Sequence, residues 1–360
     1  MATTFPPPQQ PNPPRGRTRH PFFMHEMVRR QQVAVKATLA ELTGWAGAAR
    51  TRDPAARLLT TGIGTSFHAA LAVAAAARAA SPGRVVEARS AFDLLDGPET
   101  AVADVAIAFS ESAETFVTAR ALELLRQRKV PTVLVTAAAK GECRDLAAEV
   151  VETKHAKEDS WTHTVSYAAG VAAGWSLVQP RPDPVAEATV VEAIGDALAL
   201  EPRVMETVEA LGERDRFVLV GSGSGEATAR EAALKLREAT RRFATAVGVE
   251  ELLHGVLPSL NEHAAVLAIS GTELERRRVA DGLAAARHLD AFVWHIDTSG
   301  AATVENGLAL PPVPPGIAPI VQGIPFQWLA YWIAVQDGLN PDIMGLDDPK
   351  VLAARRSFGI

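Results

Sequence analysis

Short apolar runs alternate with longer helix-forming segments through the first half of the chain. The apolar runs cover residues 58–62, 105–109 and 133–136, and the segments between them include 68–80 and 115–127. This alternation predicts right-handed βαβ units, in which helices cover a parallel sheet. We therefore expect an α/β fold with a doubly wound parallel sheet and helices on both of its faces.

The second half of the chain repeats this design. An apolar run at 217–220 leads into a Gly-Ser-Gly-Ser-Gly loop and a helical segment at 226–244, and further apolar runs follow at 265–269 and 292–296. The same succession of strand, Gly/Ser loop and helix opens both halves, which indicates an internal duplication. An apolar helix is expected at 325–335. The pattern therefore predicts two α/β subdomains, each with its own parallel sheet.

Proline-rich and polar segments give the expected domain boundaries. We expect a disordered tail at 1–21, because it is rich in proline and few of its side chains can be buried. A first domain that begins with an amphipathic helix is expected at 22–179. A linker is expected at 180–198, where three closely spaced prolines interrupt regular structure, and a second domain at 199–345. A polar C-terminal tail is expected at 346–360.

Composition and charge argue against several classes of protein. The 360 residues are 48% hydrophobic and 22% charged, and the formal net charge of -6 gives no support for a broad nucleic-acid surface. No apolar run reaches the ~18 residues of a membrane-spanning helix, and the polar N-terminal segment is unlike a secretion signal. The single cysteine, Cys143, permits neither an internal disulfide nor a cysteine-based zinc site. We therefore expect a cytoplasmic protein whose partners are small molecules or proteins.

Two loops carry hydroxyl groups at the point where a predicted strand ends and a helix begins. The residues are Gly64, Thr65 and Ser66 in one loop, and Ser110, Ser112 and Thr115 in the other. Because the carboxyl ends of parallel strands lie at one edge of a doubly wound sheet, both loops can face a shared crevice and bind an anion. The alternative, in which these hydroxyls only cap the helices that follow, is equally open from the pattern alone.

A second group of candidate residues lies on the helix predicted at 226–244. Glu231, Lys235 and Glu238 are spaced at i, i+4 and i+7, which places two carboxylates and an ammonium on one helical face. The spacing alone favours a solvated, salt-bridged face over a catalytic one. His254 follows in the sequence, and a histidine together with a carboxylate can move protons near neutral pH.

Taken together, these motifs resemble the sugar isomerase (SIS) domain family. The resemblance is greatest to double-SIS proteins, which include the isomerase half of glucosamine-6-phosphate synthase and related aminosugar-phosphate isomerases, deaminases and deglycases. Five segments carry it in order: GIGTSFHAA, FSESAET, KEDSWTHTVSY, REAALKLRE with EELLHG, and PFQWLAYWIAVQDGLNPD. They span the chain from about Phe22 to the C-terminus, and their ordered succession is more specific than any one of them.

The resemblance implies roles for individual residues. Those that would hold the sugar phosphate are Gly64, Thr65, Ser66, Ser110, Glu111, Ser112 and Thr115. Glu238 matches the enolisation base, with Glu231 and Lys235 as supporting polar residues. His254 matches the histidine of ring opening, and sites in this family are completed across a homodimer. Neither a metal nor an organic cofactor is required.

The sequence also departs from the family at three positions. Glu111 replaces the glutamine of the phosphate loop, and Ala113 replaces a glycine, which is unfavourable if that position needs a positive φ. Near the C-terminus Ala354 stands where the synthase has its ring-opening lysine. Lys350 lies one helical turn earlier and is the candidate to replace that lysine.

The implied function is that of a sugar-phosphate aldose–ketose isomerase, or of a deaminase or deglycase. Its substrate is expected to be an aminosugar phosphate, which reacts through an enediol or enolamine, without a glutaminase domain. Two alternatives stay open. One is a non-catalytic sensor that binds a sugar phosphate, which Ala354 and Glu111 favour. The other is a diverged enzyme in which Glu111 accepts an unphosphorylated or amino-bearing substrate.

Overall fold

The computed structural model describes residues 17–43, 45, 49–97, 102–180, 183–314 and 316–357, and the chain divides into two compact units. Unit 1 comprises Met1–Pro182 and Asn340–Ile360, and unit 2 comprises Asp183–Leu339. Residues 1–16 of the predicted disordered tail lie outside the described residues. None of the described helices is long and apolar enough to cross a membrane.

Unit 1 contains a five-stranded parallel sheet in the order β2-β1-β3-β4-β5. Its elements before the chain enters unit 2 are α1 (Phe23–Leu42), α2 (Ala49–Arg52), β1 (Leu58–Gly62), α3 (Thr65–Ala80), β2 (Val86–Ser90), α4 (Ala91–Asp96), β3 (Val105–Phe109), α5 (Phe116–Gln127), β4 (Thr132–Thr136), α6 (Glu142–Leu146), β5 (Glu149–Glu152) and α7 (Val165–Val178). The predicted α/β fold is therefore confirmed, and the predicted N-terminal helix is a single element.

Helices cover both faces of the unit 1 sheet because neighbouring residues of a strand point in opposite directions. On β1, Leu59 packs in a buried cluster with Leu94 of α4 and Leu125 of α5. The next residue, Thr60, faces the other side, where its hydroxyl donates a hydrogen bond to the carbonyl oxygen of Ala70 on α3 at 2.8 Å. The alternation of side chains along one strand thus requires a helical layer on each side.

Unit 2 repeats the design with a second five-stranded parallel sheet, in the order β10-β9-β8-β6-β7. Its elements are α8 (Pro184–Leu198), α9 (Glu201–Leu211), β6 (Arg216–Val220), α10 (Gly225–Thr240), β7 (Phe243–Val247), α11 (Val249–Glu251), β8 (Ala264–Ser270), α12 (Glu273–Arg287), β9 (Phe292–Asp297), β10 (Gly307–Ala309) and α13 (Ala318–Gln336). Val293 of β9 packs with Leu283 of α12. Trp294 contacts Phe326 of α13 edge-on, with ring centroids 5.5 Å apart, so both faces of this sheet are covered too.

The predicted linker at 180–198 is mostly helix. Asp183 caps α8 by accepting hydrogen bonds from the backbone N–H groups of Val185 and Ala186. Pro184 is the first residue of this helix, where a proline lacks no needed hydrogen bond. The third proline of the segment therefore begins a helix instead of preventing one.

The C-terminal boundary also differs from the expected one. The residues from Asn340 onward belong to unit 1 again, so unit 2 ends at Leu339 and not at the predicted residue 345. Asp342 connects this last segment to the start of unit 1. Its carboxylate accepts the backbone N–H groups of Phe23 at 2.8 Å and Met24 at 2.7 Å, at the start of α1. The predicted polar tail then contains one more helix, α14 (Pro349–Arg355).

Candidate functional site

The loop between β1 and α3 is shaped by glycine. A Cβ atom on Gly62 would lie 2.7 Å from the backbone carbonyl of Ser66, so only glycine fits there without movement of the backbone. Gly64 has a φ of 56°, in the left-handed region that favours glycine. These two positions let the chain turn sharply from the strand into the helix, which places Thr65 and Ser66 in the first turn of α3.

The loop between β3 and α5 holds a strained residue. Ala113 has a φ of 54°, so the position does adopt the conformation for which the missing glycine is suited. Its carbonyl oxygen accepts the backbone N–H of Cys143 at 2.9 Å. The hydroxyl of Thr136, at the end of β4, donates to the carbonyl oxygen of Glu111 at 3.0 Å. Neighbouring elements therefore hold this loop in place.

A small pocket lies at the carboxyl ends of β1, β3 and β4. Its polar lining residues are Thr65, Ser66, Ser110, Glu111, Thr136, Thr153, Ser166 and Tyr167. Four of them were predicted from the sequence, whereas Gly64, Ser112 and Thr115 do not line it. Ser112 is exposed, and its hydroxyl accepts the backbone N–H of Glu114 at 3.2 Å, in the turn before α5. Thr115, the N-cap of α5, makes no side-chain cap hydrogen bond.

Ser110 is suited to bind a ligand in this pocket. The residue is 3% exposed. Its hydroxyl is hydrogen bonded with the thiol of Cys143 and has no partner among the described protein nitrogen and oxygen atoms. A thiol is a weak hydrogen-bonding group, so this hydroxyl can still bind a ligand or water. The pocket therefore offers hydroxyl groups that can donate to an anion.

Glu111 is an acidic lining residue of the pocket, and Glu158, which the sequence did not single out, is hydrogen bonded to the lining residue Ser166. Burial raises the pKa of Glu111, and the backbone N–H of Glu158 and the charge of Lys157 partly oppose that rise. Burial likewise raises the pKa of Glu158 to about 8. Glu158 accepts the backbone N–H groups of Thr164 and Ser166 at 2.6 and 2.8 Å. Glu158 lies in the segment KEDSWTHTVSY. The resemblance of this segment to the family is the one sequence signal that could have identified the residue.

The three charged residues of α10 form a buried cluster in unit 2. Nζ of Lys235 lies 2.6 Å from Oε2 of Glu238 and 3.4 Å from Oε1 of Glu231. The side chains of Lys235 and Glu231 are 1% and 2% exposed, and that of Glu238 is 12% exposed. The solvated helical face that the spacing alone favoured is therefore wrong. A lysine enclosed with two carboxylates is costly to desolvate, and such groups are found where function requires them.

His254 and Lys350 are both exposed. The imidazole of His254 is 77% exposed, and its Nε2 lies 3.3 Å from Oε2 of Glu250. Arg278 holds Glu250 in turn, at 2.6 and 2.9 Å. Lys350 is exposed in the first turn of α14, where its backbone N–H donates to Asp348 at 2.7 Å. Within unit 1, Lys350 is not a lining residue of the pocket.

The donor groups of the described residues do not include a metal site. Over residues 17–357, apart from the gaps named above, no three His, Cys, Asp or Glu side chains are grouped so that they could hold a metal ion.

Comparison with known proteins places this geometry in context. Residues 53–179 and 210–336 each match the SIS domain family. The isomerizing glutamine–fructose-6-phosphate aminotransferase of Pyrococcus horikoshii is 27% identical over 303 residues, which make up 79% of this chain and 50% of that protein. The chain thus spans about half the length of the curated relatives it matches.

Solved structures share the fold along most of the chain. A tagatose-6-phosphate ketose/aldose isomerase from Escherichia coli has a TM-score of 0.75 at 20% identity, and the match covers 90% of this chain and 95% of that one. A glucosamine-6-phosphate deaminase from Thermotoga maritima has a TM-score of 0.72 at 18% identity, covering 89% and 96%. The two matched domains make up most of the sequence, and this chain therefore belongs to the SIS domain family.

Proposed function

We propose that this protein is an aldose–ketose isomerase or a deaminase of the sugar-phosphate class, with an aminosugar phosphate as its substrate. The observation that carries the proposal is the buried contact of 2.6 Å between the ammonium of Lys235 and the carboxylate of Glu238. An enclosed lysine orients this carboxylate on a regular helix, as a catalytic base requires.

The chemistry needs one base that serves two neighbouring carbons. Glu238 removes the proton from C2 of the open-chain aldose, which gives an enediol or, with an amino group on C2, an enolamine. The same carboxyl group then returns a proton to C1. The ammonium of Lys235 supplies positive charge beside the reacting groups, and Glu231 holds that ammonium from its other side at 3.4 Å.

The phosphate is assigned to the pocket of unit 1. Ser66 and Ser110 offer hydroxyl groups there, and Ser166, whose side chain is hydrogen bonded with Glu158, lies in the same wall. Thr65 and Glu111 share the same wall. This set supports a phosphorylated ligand better than a neutral one, because a buried hydroxyl whose protein partner is a thiol gains most from a charged acceptor.

The names of similar proteins support an amino group on the substrate. One relative is an aminotransferase that acts on fructose 6-phosphate, and one structural neighbour is a glucosamine-6-phosphate deaminase. If ammonia is released, enolisation of glucosamine 6-phosphate gives a C2 imine, and water hydrolyses that imine to fructose 6-phosphate and ammonia. A ketose/aldose isomerase such as the one named above requires only the enolisation and not the hydrolysis.

His254 is assigned to ring opening as the group that protonates the ring oxygen. Its imidazole is largely exposed on its own chain and is paired with Glu250. This exposure supports the proposal that His254 serves a neighbouring copy in a homodimer, because an exposed catalytic acid gains its solvent-free surroundings from a partner. Lys350 remains the candidate to assist it at the C-terminus.

Proton NMR in deuterated water tests the proposal. Fructose 6-phosphate, glucose 6-phosphate and glucosamine 6-phosphate are supplied as a pool, and deuterium is expected to enter C1 or C2 of at least one of them. Glu238→Gln should abolish the exchange. Glu209→Gln, which changes an exposed carboxylate on α9, is the matched control and should exchange like the wild type.

Two other outcomes would contradict the proposal. Binding of a sugar phosphate without any exchange would identify a sensor instead of an enzyme. Exchange that persists in Glu238→Gln would show that another group is the base.

A further inference from the structure

A cleft in unit 2 lies at the amino ends of β9 and β10, beside α9. Its volume is about 510 Å³, which falls within the range of about 300–1,000 Å³ that is typical of small-molecule sites. Among the described residues, its lining comes from α9 and the turn after it, the end of α12, and the starts of β9 and β10. None of these elements carries Glu238 or the hydroxyl-lined pocket, so the cleft is a separate feature of the molecule.

Three arginines from three parts of the chain give this arginine cleft a positive charge. Arg203 lies on α9, Arg214 in the turn before β6, and Arg287 at the end of α12. Glu206 is the acidic residue of the described lining. Glu305 lies 3.4 Å from Arg287, and its side chain is 80% exposed. The three cations therefore outnumber the carboxylates even when both of these acids are counted.

The arginines elsewhere in unit 2 show that this arrangement is not an ordinary salt-bridged surface. Five of them have a carboxylate oxygen within 2.5–2.8 Å, namely Arg230, Arg242, Arg276, Arg277 and Arg278. In the arginine cleft, no carboxylate oxygen of the described residues lies closer than the 3.4 Å between Glu305 and Arg287. The positive charge of the cleft is therefore not neutralised by close ion pairs.

The cleft arginines also keep hydrogen-bond donors for a ligand. The guanidinium of Arg214 is held in place, because its Nη1 donates to the carbonyl oxygen of Leu211 at 2.9 Å and its Cζ lies 5.5 Å from the ring centroid of Phe292. Its Nε is enclosed and has no hydrogen-bond partner among the described residues. Arg203 donates to the carbonyl oxygen of Gly307 at 3.4 Å, which is long for such a bond. A guanidinium has five N–H donors in a rigid fork, so most of them stay available to an anion.

We propose that the arginine cleft is a second ligand site of this protein and that its ligand is a sugar phosphate. Guanidinium groups bind a phosphate dianion through paired, charge-assisted hydrogen bonds. The side chains of Glu206, Thr207 and Asn306 lie in the same lining and offer the donors and acceptors that sugar hydroxyl groups need. Binding there is non-covalent and uses no residue of α10. The inference therefore goes beyond the proposed function and does not depend on it.

Equilibrium dialysis with radiolabelled glucose 6-phosphate tests this by counting the molecules bound per chain, and the count is unaffected if the sugar is converted to an isomer. The wild type should bind two. Arg203→Met combined with Arg287→Met removes two of the three cations and leaves Arg214 to hold its turn. The affinity of the second site should then fall by about tenfold or more, because hydrogen bonds to a charged group are lost.

Two controls accompany this measurement. Arg230→Met changes an arginine of unit 2 outside the cleft, paired with Glu226 at 2.8 Å, and should still bind two molecules. Inorganic phosphate is added as a competitor and should displace the sugar phosphate from the cleft only at concentrations about tenfold or more above those of unlabelled glucose 6-phosphate. Circular dichroism checks that the double variant is folded, which is expected because neither Arg203 nor Arg287 is buried.

The outcomes separate this inference from the proposed function. If at most one molecule binds per chain and the double variant binds it as tightly as the wild type, the inference is wrong and the proposed function stands. If inorganic phosphate competes as well as glucose 6-phosphate, the cleft recognises phosphate alone and the assignment of a sugar phosphate is wrong. If two molecules bind and the double variant loses one of them, but no deuterium exchange occurs with any sugar phosphate, the inference stands and the proposed function fails.

Discussion

The ammonium of Lys235 lies 2.6 Å from the carboxylate of Glu238, one turn further along the same helix, with only 1% of the lysine side chain exposed. Glu231, one turn earlier, contacts the same ammonium at 3.4 Å. A surface pair with this sequence spacing would contribute little to stability. Here the three charges are enclosed, so loss of one of them removes a favourable interaction from groups that are costly to bury. The cluster couples the stability of α10 to the orientation of Glu238.

Removal of the lysine should therefore be costly. Lys235→Met leaves Glu231 buried without its counterion and should lower the free energy of unfolding by about 3–5 kcal/mol. Chemical denaturation followed by circular dichroism measures the change. Arg230→Met on the same helix breaks an exposed pair with Glu226 and should leave the denaturation midpoint almost unchanged. Equal effects of the two substitutions would contradict the assignment of a buried cluster.

Substitution of Ser110 should lower the affinity for the ligand without lowering the stability of the free protein. Among the described residues its buried hydroxyl is hydrogen bonded with the thiol of Cys143 and with no nitrogen or oxygen atom. A thiol is a weak partner, so Ser110→Ala should change the melting temperature of the free protein little. The same substitution removes a donor to the phosphate, which is worth about 1.5–3 kcal/mol for a charged acceptor. Affinity for glucose 6-phosphate should therefore fall by about tenfold or more. A loss of stability without a loss of affinity would show that the hydroxyl is structural.

Glu158 should make stability depend on pH. Its folded-state pKa is raised to about 8 from a model-peptide value of 4.5, so the folded protein holds a proton that the unfolded chain releases. This contribution to stability is fully present below about pH 4.5 and decreases as pH rises toward 8, by at most about 1.4 kcal/mol per pH unit. Denaturation of the wild type and of Glu158→Gln at several pH values checks the sign. The difference in stability between them should shift in favour of the variant as pH rises, and parallel curves would contradict it.

The sequence predicts the central strands well and the edge strands poorly. The strands 105–109 and 265–269 are buried on both faces and appear as unbroken apolar runs. The edge strand Val86–Ser90 reads VEARS, and all of its residues are only half-buried, so polar and apolar side chains mix in it. The end of α10 was also misjudged. Arg241 adopts a φ of 58°, which stops the helix before 244 and frees the chain for β7.

The residues of the candidate site could be predicted only where spacing along the sequence determines their positions. Spacing on one helix placed Glu231, Lys235 and Glu238 together, because such neighbours are set by helical geometry alone. Their burial depends on other elements and could not be predicted. Glu158 was overlooked because it lies between regular elements, and only the folded chain brings its backbone N–H to Glu111.

The exposed position of His254 leads to a test of subunit assembly. If His254 of one copy serves Glu238 of another, Glu238→Gln and His254→Ala should each be inactive in deuterium exchange, yet coexpression should restore activity. A mixed dimer then has one site with both substitutions and one with neither, and half of all dimers are mixed. About a quarter of wild-type activity is therefore expected from equal amounts. Native mass spectrometry gives the fraction of mixed dimers for the same sample. If mixed dimers form and activity stays at the level of the separate variants, His254 acts within its own chain or has no part in the reaction.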